Sequence, residues 1–376
     1  MIITIVCDVL GKENNGTTIA AMNLIRYLKE KGHTVKVLCP DNERKNEKDF
    51  YIVPLMNFGV FNHYVEENGV FLAKADKSII KEAIKGSDIV HVMLPFSLGK
   101  KSCKIAKEMG LPVTAGFHQL SENITAHVYL ENGKIINRLT YSVFNELYKH
   151  VDAIHFPTKY LKDLYEKMFG PCNGYVISNG VNDCFVPLEN APKTDKIRII
   201  YTGRYSREKN HKVLIDAIML SKYKDKIELV LAGAGPLENK IKEEVTKLPI
   251  KPIMKSFSHE EMVKILNSCY LYVHCATIEA EGIGCLEAMA CGIVPIISNS
   301  NRCATQTYAI DEKCKFDYDN PQDLASKIDW FIENPKVRDE YSKKYIEYAK
   351  ENLKQEKCMI KMEQMFIDTL EKYNKK

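Results

Sequence analysis

Two carboxylates, Glu279 and Glu287, stand eight positions apart in the stretch EAEGIGCLEAMACG, around Gly282 and Gly284 and directly after the apolar run CYLYVHCA. The apolar run reads as a buried strand, TIEAEGIG as the loop at its carboxyl end, and CLEAMAC as a helix stopped by Gly292. Such a loop delivers Glu279 to the edge of a sheet, while the helix start offers free backbone N–H groups and a positive dipole end, a seat for an anion. Gly282 and Gly284 carry no Cβ, so a bulky polar ligand can approach the main chain. Glu287, one turn into the helix, can point back at the same ligand. Acids beside an anion seat would repel phosphate itself, so their natural partners are neutral hydroxyl groups such as those of a sugar or a ribose. In isolation the acids are equally well explained as solvated loop residues and a glutamate that favours its helix near the N-terminus.

Two further segments supply the opposite charge. YTGRYSREKNH places Arg204 and Lys209, beside Gly203, in the loop after the strand-like IRIIY, where their cationic ends can neutralise a diphosphate. LAGAGP, with Gly235, is a glycine turn after another strand-like run. In the N-terminal half, TAGFHQLSENIT ends a strand with His118 at its tip, followed by the polar Gln119, Glu122 and Asn123. Gly16, with Thr17 and Thr18, lies at the mouth of the first strand-to-helix turn. A dehydrogenase would carry G-x-G-x-x-G there, and that pattern is absent.

The elements that must position these residues alternate along the whole chain. IITIVCDV, TVKVLCP, DIVHVMLP, PVTAGFH, DAIHFPT and GYVISNGV are short apolar runs separated by amphipathic or helix-rich stretches, among them Ile135–His150. The same alternation restarts with IRIIYTG and continues through IELVLAGAGP, YLYVHCA and IVPIIS. Such alternation predicts parallel sheets with helices on both faces. The chain has 376 residues, more than one hydrophobic core usually serves, so two domains of roughly 150 to 200 residues are expected. The polar, proline-bearing segment Pro187–Lys196 marks the boundary, giving an N-terminal domain over 1–190, a C-terminal domain over 191–345, and a lysine-rich helical tail over 346–376 that packs back on the first. Ligands of doubly wound folds bind at the carboxyl ends of the strands, and two facing domains would enclose a cleft there.

Composition excludes several classes. With 45% hydrophobic and 27% charged residues the chain is not broadly disordered, and no apolar run is long enough to span a membrane. MIITIVCDVL reads as a first strand rather than a signal peptide, which favours the cytoplasm. A net charge of +4 gives no case for nucleic acid. The twelve cysteines form no C-x-x-C pair and read as reduced core hydrophobes.

The order of strand, GR with a following EK, LAGAGP, then E-x7-E with GIG and EAMACG resembles the donor-binding half of the retaining glycosyltransferases of family four. That family has the GT-B fold, two facing Rossmann-like α/β domains with an interdomain cleft. The resemblance covers Ile197 to about Glu333 well and the whole chain loosely. It implies a UDP-sugar donor whose diphosphate is bound by Arg204 and Lys209. It further implies a sugar contact from Glu279, a ribose contact from Glu287, and a phosphate and sugar site completed by the backbone from Gly282 through Ile283 and Gly284 to Cys285. Cationic side chains and a helix terminus then do the work of a divalent ion, so no metal or other cofactor is expected. The DYD at Asp317–Asp319 is read as a turn and helix cap rather than a metal motif. The family often has one acid before its glycine motif, whereas EAEGIG supplies Glu279 and Glu281; the spacing selects Glu279, and Glu281 could share its role. His118 would lie near the transferred sugar, although a lone histidine at a strand end is more often structural.

FHQLSENIT, VISNGV and EAEGIGCLEAMACG together are similar to the bacterial diacylglycerol glucosyltransferase branch, whose acceptors are lipids. The acceptor expected is therefore a lipid or glycan hydroxyl, with Gln119, Glu122 and Asn123 on the acceptor side. One stretch combines Phe58, Phe61, Tyr64 and Phe71 with Lys74, Lys77, Lys81 and Lys85, and Lys100, Lys101, Lys104 and Lys107 follow. Such a mixture suits peripheral contact with an anionic membrane, at the inner face of the cell membrane; an ordinary solvated lysine face explains it too. A nucleotide-sugar 2-epimerase of the same fold and a catalytically silent sugar-nucleotide-binding protein are the competing readings.

Overall fold

A computed structural model describes residues 1–11, 16–57, 59, 72–126, 130–192 and 194–375. The chain forms two compact units, Met1–Asn179 with Cys358–Lys376, and Gly180–Lys357.

The first unit holds β1 (Ile2–Val6), β2 (Thr34–Cys39), β3 (Phe50–Ile52), β4 (Ile89–Val92), β5 (Val113–Gly116), β6 (Ala153–Phe156) and β7 (Gly174–Val176). They make one parallel sheet in the order β3-β2-β1-β4-β5-β6-β7. Ile5 of β1 lies between Val37 and His91 of its neighbours, and β1, β4, β5 and β6 are almost wholly buried. That is why their sequences are near-continuous apolar runs rather than alternating ones. Helices α1 (Gly16–Glu30), α2 (Lys77–Ile84), α3 (Ser97–Glu108), α4 (Ser121–Thr125), α5 (Lys134–Tyr148) and α6 (Lys159–Phe169) connect the strands.

The second unit repeats the plan with β8 (Ile197–Thr202), β9 (Ile227–Ala232), β10 (Ile253–Lys255), β11 (Leu271–His274), β12 (Val294–Ser298) and β13 (Lys315–Phe316). Their order is β10-β9-β8-β11-β12-β13, again all parallel. Its helices are α7 (His211–Leu220), α8 (Glu238–Glu244), α9 (His259–Asn267), α10 (Ile283–Ala290), α11 (Pro321–Glu333) and α12 (Pro335–Asn352). Local signals set their starts: Ser258 and Glu261 form a reciprocal capping box on α9, and Asn320 caps α11 ahead of Pro321. The DYD turn thus leads into a cap supplied by Asn320 rather than by an aspartate. In each sheet the strand order reverses beside the first strand, between β1 and β4 and between β8 and β11. At such a switch point the loops from two neighbouring strands diverge and leave a crevice.

The division between units falls after Asn179, ahead of the Pro187–Lys196 segment expected from composition. Val181 and Phe185 are already buried in the second core, and the Leu188 N–H donates to the Asn267 side chain. Polarity and proline there report an exposed surface strap, not a crossing. The expected tail over 346–376 also divides, since Ala349 and Leu353 belong to the second core. The last helix, α13 (Gln355–Asn374), joins the first unit from Cys358 onward, burying Met359, Met362, Met365 and Phe366 in the cluster that holds Ile3, Leu24 and Leu28. Glu363 beside this stripe accepts hydrogen bonds from Tyr27 Oη at 2.9 Å and His33 Nε2 at 2.7 Å. All twelve cysteines are free thiols, most of them buried.

Phe366 also meets the His91 ring edge-on at 5.3 Å. Phe366→Ala is expected to cost the first unit about 3–5 kcal/mol, read as a lower denaturation midpoint, whereas Ile360→Ala on the exposed side of the same helix should leave it unchanged.

Candidate functional site

Because β8 and β11 are neighbours, with Leu271 opposite Ile199 and Tyr272 opposite Ile200, the loops that follow them emerge side by side. Lys209 comes from the first loop and Glu279 from the second, and the Lys209 ammonium donates to Glu279 Oε2 at 2.5 Å with both side chains largely buried. The main chain fixes both ends. Tyr201 Oη donates to the Lys209 carbonyl at 2.8 Å, and Asn210 turns left-handed, at φ 49°, to start α7. The Glu279 N–H donates to the Arg302 carbonyl and its own carbonyl accepts from Ala304, while the Thr277 N–H bonds the Glu208 carbonyl and ties the two loops together.

Burial alone would push the Glu279 carboxyl up, but the Lys209 charge, the nearby His274 and the Lys209 hydrogen bond outweigh it and hold the group below its ordinary value. Burial likewise pushes Lys209 down, and Glu279 with Glu208 more than restores it, so the pair is ionised. His274, at the end of β11, lies with Nε2 3.7 Å from the same Glu279 oxygen, stacked on Tyr272 and edge-on to Tyr201. Loss of hydration lowers it to about 4, so it meets the carboxylate as a neutral ring.

The glycines of the loop are explained by crowding. Gly282 caps α10 with φ +79°, and a Cβ there would lie 2.2 Å from Thr305 Cγ2; a Cβ on Gly284 would lie 1.9 Å from Thr202 Oγ1. The start of α10 is thereby pressed onto the end of β8. Cys285 and Leu286 donate to the Gly282 carbonyl, which leaves the N–H groups of Ile283 and Gly284 open among the described residues. Glu287, partly buried one turn into α10, has its carboxyl raised to about 8 by burial, so it carries a proton at neutral pH. The Cys285 thiol is buried and pushed well above its ordinary value by lost hydration, hence inert.

Arg204 is partly buried, which lowers its guanidinium somewhat against the opposing pull of Glu208, and it enters no ion pair among the described residues. Gly235 serves its neighbours first: Cβ atoms on Gly233 and Gly235 would fall 2.0 Å from the Gly203 carbonyl and 2.7 Å from Tyr205 main-chain atoms, and the two loops exchange bonds from Gly203 to Ala232 and from Tyr205 to Ala234. LAGAGP therefore buttresses the Arg204 loop. Glu281 is buried near Tyr308, so of the two acids in EAEGIG only Glu279 meets Lys209.

In the first unit His118 follows β5, folds back over Gly116 and lies edge-on to His155 at 5.0 Å. Burial keeps it neutral, far below its ordinary value. His91 Nε2, His118 Nε2 and His155 Nδ1 have no hydrogen-bond partner among the described residues and line one small internal gap. Glu122, on α4, accepts from Tyr141 Oη at 2.7 Å; the Gln119 amide bonds the Leu120 carbonyl, and the buried Asn123 Oδ1 has no partner among the described residues. Gly16 is the first residue of α1. Phe58, Phe61, Tyr64 and Phe71 lie outside the described residues. Two residues escaped the sequence reading. His274 is one, and Asp8 is the other: just beyond β1, its carboxyl group accepts from the Leu98 and Gly99 N–H groups at the start of α3 and is raised by burial to about 7. Both carry the signal that singled out His118, a polar side chain closing an apolar strand. Among the described residues no group of three or more His, Cys, Asp or Glu side chains is placed to hold a metal ion.

Two measurements follow from these environments. Lys209→Met or Glu279→Gln alone strands a buried charge and should cost about 3 kcal/mol or more in chemical unfolding, the double variant costing clearly less than the sum. In the first unit burial lowers His91 to about 3, His118 far below its ordinary value and His155 to about 4. Below about pH 6.5 unfolding therefore takes up three protons on these rings, while Asp8, protonated in the fold up to about pH 7, releases one. The balance makes stability fall with acidification between about pH 6.5 and 4.5. Denaturation midpoints across that range should show the slope, and His91→Gln should reduce it.

Two family models match the chain: Glycosyltransferase Family 4 over residues 14–184 and Glycosyl transferases group 1 over residues 187–352. The alpha-monoglucosyldiacylglycerol synthase of Streptococcus pneumoniae is 26% identical over 237 residues, which spans 57% of this chain and about half, 52%, of that relative. The enzyme of the same name from Acholeplasma laidlawii is 20% identical over 96% of each chain. Among solved structures, Anabaena HepE in complex with UDP superposes with a TM-score of 0.74 at 13% identity, covering 98% of this chain and 99% of that one, a likeness of fold. Two parallel Rossmann-like units, the loops at their switch points and these matches agree: the chain belongs to the family-four glycosyltransferases of the GT-B fold.

Proposed function

We propose that this chain is a retaining, metal-independent hexosyltransferase that moves glucose from UDP-glucose to a hydroxyl of a diacylglycerol-like lipid, working from the cytoplasm at the inner face of the membrane. The observation that carries the reading is the ionised Lys209–Glu279 pair beside the open N-terminus of α10, at the second unit's switch point. The glucosyldiacylglycerol synthases among the relatives favour glucose and a glycerolipid acceptor.

In this reading Arg204, Lys209 and the Ile283 and Gly284 N–H groups receive the diphosphate. An ammonium has three donors, and Glu279 occupies one, so Lys209 can serve both groups. Glu279 holds a hydroxyl of the sugar, and the protonated Glu287 bonds a ribose hydroxyl without repelling the phosphates. The anomeric carbon–oxygen bond to the diphosphate breaks, with charge developing on oxygens that already face fixed cations and N–H dipoles. The acceptor oxygen bonds the same face of the anomeric carbon, and its proton passes to the departing phosphate.

UDP and UDP-glucose should raise the melting temperature more than GDP does. Labelled glucose should pass from UDP-glucose to diacylglycerol at an undiminished rate in EDTA, giving the α-anomer. Arg204→Ala and Lys209→Ala should each lower that rate by about a hundredfold or more. Wild-type rates in both variants, or an epimerised sugar released with no acceptor present, would overturn the assignment.

A further inference from the structure

On α5 the buried residues Asn137, Tyr141, Phe144 and Tyr148 recur at helical spacing and face the core. The opposite side carries Ile135, Leu139 and Val143, at i, i+4 and i+8, exposed to 79%, 58% and 54%, with Leu130 ahead of the helix at 48%. Gly133, Lys134, Ile135, Ile136 and Leu139 line a shallow hollow at its start. A surface helix normally turns its polar side outward, so a row of branched apolar side chains in water calls for a partner.

The charges beside the row say which partner. Lys134 and Arg138 flank it, both exposed and in no ion pair among the described residues, whereas Glu146 is already engaged by Lys149. Helices α4 and α3 pack beside α5; α3 carries exposed Lys101 and Lys104 with the exposed Glu108, and next to it α2 carries exposed Lys77 and Lys81 with the exposed Glu82. Apolar side chains flanked by Lys134 and Arg138, with lysines outnumbering acids on α2 and α3, match a bilayer with anionic headgroups, the chains entering the acyl boundary while the cations stay among the phosphates. A second copy of the same face fits poorly, because a twofold contact would gather both copies' Lys134 and Arg138 into one interface with no acid among the described residues of that face to pair them. No helix among the described residues is long and apolar enough to cross a membrane, so the contact is one of surface seating.

We infer that the outer face of α5 docks this chain on an anionic lipid bilayer through Ile135, Leu139 and Val143, with Lys134 and Arg138 on the headgroups. The inference deepens the proposed function by locating where a lipid-using enzyme meets its acceptor's membrane, and it rests on that reading for the choice of a bilayer over other acidic surfaces.

Flotation of the full chain with phosphatidylcholine vesicles, with and without phosphatidylglycerol, tests it. The wild type should float with the anionic vesicles and be released by high salt. Ile135→Ser/Leu139→Ser/Val143→Ser should weaken vesicle affinity about tenfold or more at unchanged melting temperature, and Lys134→Glu/Arg138→Glu should abolish the preference for phosphatidylglycerol. Flotation of the serine variant like wild type would overturn the inference. So would a drop from dimer to monomer in light scattering with vesicle binding intact, which would make the face a self-association surface. Transfer to a detergent-dispersed acceptor separates the two readings. A chain that transfers in detergent but ignores vesicles refutes the docking face alone, and one that binds vesicles through this face but transfers nothing refutes the function alone.

Discussion

A lysine and a glutamate can share one buried hydrogen bond only if the main chain holds both in place, since each alone would be a costly unpaired charge. Around Lys209 and Glu279 every neighbouring feature serves that requirement. Tyr201 fixes the lysine's carbonyl, the 302–304 segment brackets the glutamate's backbone, and the Thr277–Glu208 bond keeps the two loops in register. The pair is thus a consequence of strand order, because only neighbouring strands whose connections run in opposite directions leave two loops free to diverge and then meet.

The first sheet has the same topology and uses its switch point differently. There Asp8 closes the crevice, its carboxylate taking the Leu98 and Gly99 N–H groups that a ligand anion would otherwise find. In the second sheet the N–H groups of Ile283 and Gly284 at the corresponding helix start are left open among the described residues, and Glu279 is turned to a lysine instead. Two like scaffolds therefore differ in whether the chain's own carboxylate fills the anion seat, which is a physical reason to look for phosphate chemistry in the second unit.

Much of this was legible beforehand because buried parallel strands are written as continuous apolar runs. Strands β1, β4, β8, β11 and β12 stand out that way, and the polar residues just beyond them mark the site. The edge strands β3, β10 and β13, of three, three and two residues, were not legible: their burial is partial and their pairing one-sided, so no apolar run announces them. His274 and Asp8 stand at the ends of their runs as His118 does, but the apolar character of those runs is the stronger signal. The α5 stripe was missed for another reason. Apolar residues at helical spacing read as core, and only coordinates show that a second apolar row lies on the far side of the same helix. Composition also misplaced the unit boundary, because proline and charge report exposure to water and not the point at which one core gives way to the next.

The chain's last helix completes the core of the unit that its first strand begins. The second unit is one continuous stretch, so on the ribosome its whole sequence is available while the first still lacks the methionines and phenylalanine of α13. The order of synthesis and the order of completion are therefore inverted. Until α13 emerges, the nascent first unit exposes the apolar groove that this helix will fill, and that interval is when a chaperone has the most to bind.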